Sequence, residues 1–65
     1  METGTVKFFN EERGFGFIKP DDGEKDLFVH KTDTKSPIRE NDRVQFEVEH
    51  GEKGPYASNV EMIDS

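Results

Sequence analysis

Apolar and polar residues alternate along several short stretches of this chain. Arg43-Val44-Gln45-Phe46-Glu47-Val48-Glu49 alternates without interruption, the period of a half-buried strand. Two other segments alternate differently: in Phe15-Gly16-Phe17-Ile18 and in Leu27-Phe28-Val29-His30 every second residue carries a ring. Successive side chains on a strand point to opposite faces, so Phe15, Phe17, Phe28 and His30 can share one face. Ile18, Leu27 and Val29 then share the other. A chain of 65 residues needs only one face of a sheet for its core, and the aliphatic face is the natural one. The rings are left facing solvent. An exposed aromatic row calls for a ligand with flat faces, and nucleobases are the commonest such ligand.

The same patterning predicts two further strands and the turns between all five. Thr3 to Asn10 reads as a strand, but its adjacent Phe8 and Phe9 must lie on opposite faces unless a bulge intervenes. Periodicity does not say which ring is core. Glu11 to Gly14 turns the chain into a strand over Phe15 to Lys19. Pro20-Asp21-Asp22-Gly23-Glu24 is turn chemistry, its Asp-Gly pair favouring a tight hairpin with positive φ. Asp26 to His30 follows, and then Thr32 to Asn41, a polar stretch with Ser36-Pro37 and no apolar period, reads as the longest loop. Gly51 to Pro55 turns the chain into a last strand over Tyr56 to Ile63. Five short strands and no helix of three turns predict an all-β, five-stranded antiparallel barrel spanning residues 1–65 as a single domain.

Composition narrows the function. The chain contains no cysteine, which excludes disulfides and thiolate metal sites. Two histidines do not suffice for a zinc centre. Asp21-Asp22-Gly23-Glu24 lacks the ligand spacing of a calcium loop, and no nucleophile–base arrangement or nucleotide-binding glycine loop is present. Neither an enzyme nor a bound cofactor is expected. No apolar run approaches the ~20 residues of a membrane span, and Met1-Glu2-Thr3 begins no targeting peptide, so a soluble cytoplasmic protein is the expectation. A 65-residue barrel with charged edges is expected to be a monomer. The net charge of −6 runs against the usual basic balance of nucleic-acid binders. Its distribution matters more than its sum. Lys7, Arg13, Lys25 and Lys31 fall in or beside the aromatic segments, whereas Glu40, Asp42, Glu47, Glu49, Glu52, Glu61 and Asp64 crowd the second half. A mildly basic front and an acidic back would follow, with binding driven by stacking more than by charge.

Four motifs in order carry a family resemblance: Gly4-Thr5-Val6-Lys7-Phe8-Phe9-Asn10, Arg13-Gly14-Phe15-Gly16-Phe17-Ile18, Asp26-Leu27-Phe28-Val29-His30, and Gly54-Pro55 with Ala57 and Asn59-Val60. Together they resemble a bacterial-type cold-shock domain protein over nearly the whole chain. The second motif matches the first five places of ribonucleoprotein motif 1, has Ile18 for Val, and departs at Pro20. That motif also occurs in RRM domains, but there the second motif precedes the first and helices intervene. The order here favours the cold-shock domain, an OB-type barrel.

The resemblance implies binding of single-stranded RNA and DNA, often pyrimidine-rich, with low sequence selectivity, and a role as an RNA chaperone that keeps messages unpaired. Lys7, Phe8, Arg13, Phe15, Phe17, Phe28 and His30 match family positions that contact nucleic acid, which implies Phe8 outward and Phe9 inward. The sequence also departs from the family. Phe8 stands where Trp is common, and Lys31 replaces an aromatic, exchanging a stacking surface for a cation. The following loop is short and lacks a ring, while Tyr56 lies where it can partly compensate at the platform's edge. These changes imply a weaker binder than the typical relative. The rival reading is a small acidic β-barrel interaction module whose aromatic face grips an extended peptide; the ordered double motif weighs against it.

Overall fold

The computed structural model describes residues 1–23, 25–52 and 54–63. Five strands form: β1 (Glu2–Asn10), β2 (Phe15–Pro20), β3 (Leu27–His30), β4 (Arg43–Gly51) and β5 (Gly54–Met62), with one turn of 3-10 helix at Lys31–Asp33. They close into a barrel in the order β1-β2-β3-β5-β4. The β3–β5 pairing is parallel and the other four are antiparallel. Closure matters because an open sheet would leave a row of unpaired backbone groups at each edge. The architecture is the all-β, five-stranded barrel that the alternating segments predict, antiparallel as expected except at β3–β5, where the chain crosses over between the two strands and brings them side by side in the same direction.

The aliphatic face is indeed the core. Val6, Ile18, Val29, Val44, Phe46, Ala57 and Val60 are fully buried, Leu27 and Ile38 nearly so, and Phe9 and Val48 pack against them. A register shift between β1 and β2 falls just before Phe8, between Val6 and Phe8. Val6 faces Ile18 and Phe8 faces Phe17, leaving Lys7 as the extra residue. The bulge lets Phe8 join the ring face while Phe9 turns toward the interior. Gly16, opposite Phe9, is required by close approach of the two strands. A Cβ there would stand 2.7 Å from Phe9 Cδ1 and 2.8 Å from Phe9 Cα. Only a hydrogen fits.

Several turns differ from the sequence expectation. The strand β2 continues through Pro20, which is buried and faces Gly4. Gly23 has no positive φ, so the Asp22-Gly23 pair does not make the expected tight hairpin; Glu24 lies outside the described residues. Asp21 instead leaves the strand to hydrogen-bond Thr3 and Arg43, competition that a local turn motif does not reveal. At the other hairpin, Gly51 pairs with Gly54 and His50 with Pro55. The strands therefore extend into the segment read as a loop, and Glu52 and Lys53 alone connect them, Lys53 lying outside the described residues.

The 32–41 segment is not a plain loop. Its start forms the 3-10 turn, Thr34 bridges Val60, and Lys35 N–H donates to the Val60 carbonyl at 2.8 Å. Ile38 then closes the barrel at 1% exposure. A single apolar residue has no period, so sequence patterning gave it no place in the core. The segment's end joins β1: Val6 N–H donates to Asp42 O at 2.9 Å, and Asn41 N–H to Val6 O at 2.8 Å.

Candidate nucleic-acid interface

Strand register places four rings side by side across the barrel. Phe8 on β1 faces Phe17 on β2, which faces Phe28 on β3, which is level with Tyr56 on β5. Phe15 and His30 form a second pair one step along β2 and β3. Phe8 is 41% exposed and Phe28 38%; Phe15, Phe17, His30 and Tyr56 are half-buried. Ring centroids lie 5.4 Å apart for Phe8–Phe17 and 5.8 Å apart for both Phe15–Phe28 and Phe17–Phe28, all tilted or edge-on. These separations are in the favourable range for aromatic pairs, which restrain one another while leaving outer surface open. The core beneath, Ile18, Leu27 and Val29, is filled, so the rings have no interior to move into.

The turn before β2 sets the first ring. Gly14 takes φ 76°, a conformation that disfavours any side chain. Its N–H donates to Asn10 O at 2.7 Å, and Arg13 N–H donates to Asn10 Oδ1 at 3.1 Å. His30 is held by its neighbour: Nδ1 accepts from the Thr32 N–H at 3.2 Å and lies 2.9 Å from Thr32 Oγ1. An accepting Nδ1 in the neutral ring leaves the proton on Nε2.

The cations are less uniformly available than the sequence suggests. Lys7 Nζ pairs with Asp26 Oδ2 at 2.9 Å, so part of its charge is already answered. Lys31 lays its stem over Gly14, whose Cβ would come 3.1 Å from Lys31 Cδ. It also lines a groove with Phe9, Thr34, Pro37 and Ile38, off the main ring row. Arg13 is exposed and makes no ion pair among the described residues. Acid also reaches the platform. Glu49 on β4 faces Tyr56 and ends the ring row, so the surface does not divide into a basic front and a distant acidic back.

Sequence reasoning missed the surroundings of Tyr56. A cleft of about 560 Å³ opens between Phe28 and the β4–β5 hairpin, lined by Gly51, Glu52, Gly54, Pro55 and Tyr56. The sequence signal was Gly54-Pro55 beside the lone tyrosine. Its partner Phe28 became visible only through the parallel β3–β5 pairing, which links residues 28 apart in sequence. Among the described residues no cluster of histidines and carboxylates could hold a metal ion, and no helix is long and apolar enough to cross a membrane.

Comparison with known proteins fits this geometry. Residues 2–63 match the family model described as the 'Cold-shock' DNA-binding domain. The chain is 53% identical to Cold shock-like protein CspG of Escherichia coli (strain K12) over 62 residues, covering 89% of each. It is 48% identical to Probable cold shock protein A of Mycobacterium tuberculosis, covering 97% of this chain and all of that one. Among solved structures, drosophila Unr CSD456 superposes with a TM-score of 0.81 at 30% identity over 97% of this chain, which spans 26% of that structure. The chain belongs to the cold-shock domain family of nucleic-acid-binding proteins.

Proposed function

We propose that this protein binds single-stranded RNA and DNA, pyrimidine-rich stretches above others, by stacking bases on the Phe8, Phe15, Phe17 and Phe28 rings. It acts in the cytoplasm as a monomeric RNA chaperone that keeps messages unpaired. The observation that carries the reading is the ring row itself: neighbouring phenylalanines 5.4–5.8 Å apart, open to solvent above a filled core. Stacking tolerates any base because every base has a flat face, which suits low selectivity. It also lets a chain of net charge −6 bind a polyanion, since the bases meet the protein and the phosphates face outward. His30 adds a flat surface at the row's side; Arg13, and Lys7 and Lys31 from the margins, meet phosphates.

The test is fluorescence anisotropy of a dye-labelled pyrimidine heptanucleotide titrated at low and moderate salt, the dye placed on the oligonucleotide because the protein has no Trp. Saturable binding with a shallow salt dependence, lost in Phe28→Ala while the fold survives, is the expected result. A quenched RNA hairpin opened by the wild type and left closed by the variant tests the chaperone step. Absence of binding at high micromolar protein and low salt, with saturation by a basic extended peptide instead, would overturn the reading.

A further inference from the structure

We propose that the cleft between Phe28 and Tyr56 is a guanine site at the end of the ring row, with Glu52 selecting the base. The inference rests on the platform being a single-strand interface and adds a specificity determinant to it. Phe28 meets Phe15 and Phe17, whereas Tyr56, level with Phe28 across the β3–β5 pairing, makes no ring pair with it. Both line the open cleft of about 560 Å³ between Phe28 and the β4–β5 hairpin, a volume within the range of sites that enclose small ligands.

The far wall is held in place. Tyr56 lies directly against the bare backbone of Gly51, where a Cβ would come 3.1 Å from Tyr56 Cε1, and Pro55 beside it has a fixed φ. A base entering here meets Phe28 and Tyr56 and also Glu52, an exposed residue that lines the same cleft. A carboxylate only accepts hydrogen bonds. Guanine alone offers two adjacent donors on its Watson–Crick edge, N1–H and N2–H, which match the two carboxylate oxygens. Uracil sets one N–H between two repelling carbonyls, and cytosine and adenine each set an amino group beside an acceptor. Unstacked bases in single strands are read on this edge, and a two-bond match is the strong form of base discrimination.

The experiment compares dye-labelled heptauridylate with hexauridylates that carry one guanosine or one inosine at either end, titrated with wild type and Glu52→Gln. Inosine keeps N1–H and loses the N2 amino group. Guanosine at one end is expected to bind about tenfold more tightly than inosine there, and Glu52→Gln to reduce that ratio to about one. Equal binding of guanosine and inosine by wild type, or a ratio that persists in Glu52→Gln, would overturn the guanine site. Heptauridylate that still binds in that case leaves the platform standing. If no oligonucleotide binds, both readings fall together.

Discussion

The outer face of β1–β3 and the outer face of β4 are built from opposite materials on the same barrel. The first presents Phe8, Phe15, Phe17 and Phe28; the second presents Glu47 and Glu49, both exposed. Both cover the same core, so burial does not require the rings to be there. An exposed carboxylate is well solvated and costs the fold nothing, whereas partly exposed phenylalanines give up much of the burial energy of a large side chain. A small domain has little stability to spare. The difference teaches that the aromatic face is shaped for something other than folding, while the β4 face merely keeps the barrel in water. Perturbing each side of this contrast should give different kinds of damage.

The largest effect is expected where the ring face depends on backbone contact. Gly16→Ala would force β1 and β2 apart at Phe8 and Phe9, an overpacking cost of about 3 kcal/mol. A core of this size rarely supplies more than about 3–5 kcal/mol in total, so the variant should be largely unfolded at 25 °C by far-ultraviolet circular dichroism. A melting curve within a few degrees of wild type would show that the strands can separate without harm. Next in size is Phe17→Ala, which removes the central ring that meets both Phe8 and Phe28. Affinity for a pyrimidine heptanucleotide should fall by about 1–3 kcal/mol. Glu47→Ala, on the acidic β4 face beside Ser58 and outside the ring row, should not weaken binding at all. Equal losses in the two variants would erase the distinction between the faces.

A finer test concerns charge. Lys7 stands at the bulge beside Phe8 but its ammonium is 2.9 Å from Asp26. Exposed pairs of this kind are worth little to stability, yet each one withholds a cation from a phosphate. In Asp26→Ala the log–log salt dependence of binding should steepen by about 0.7, the increment for one further phosphate contact on a single strand, with tighter binding at low salt. An unchanged slope would mean that Lys7 stays off the strand even when released.

The sequence revealed the ring face and the core face because both are strictly periodic, and period 2 survives any tertiary arrangement. Phe15, Phe17, Phe28, Ile18, Leu27 and Val29 all lie on the faces that their alternation indicates. Phe8 and Phe9 could not be assigned that way, because a bulge breaks the period and is itself set by pairing with β2. Ile38 was invisible for a related reason: one apolar residue in a polar segment has no pattern, and its burial depends on Lys35 and Thr34 docking the segment on β5. The cleft at Tyr56 and the Lys7–Asp26 pair join residues far apart in sequence and needed the closed barrel before they could be seen. Asp21 belongs with these. It looked like turn chemistry and instead ties three elements together.

That tie gives the smallest effect and the one with a definite pH signature. Asp21 accepts from Arg43 through both guanidinium ends, at 2.6 and 2.8 Å, and from Thr3 Oγ1 at 2.6 Å. The Arg43 hydrogen bonds, then that of Thr3, hold its carboxyl well below its ordinary value of 3.8, and the same contact raises the Arg43 pKa. A carboxylate whose pKa is lower in the folded state contributes its full stabilisation above its unfolded pKa and loses it as pH falls toward the folded one. The contribution is therefore complete at neutral pH and fades below about pH 4. Glu61, held low by Lys35 and Gln45, fades in the same direction, so acid lability should be reduced in Asp21→Asn without disappearing. Melting temperatures from pH 7 down to about pH 2 should show the variant slightly less stable at neutrality and converging on wild type in acid. Because the groups are exposed, high salt should shrink the neutral-pH gap. A constant gap across the whole range would mean that Asp21 acts through shape alone, and the polar clamp would then owe nothing to its charge.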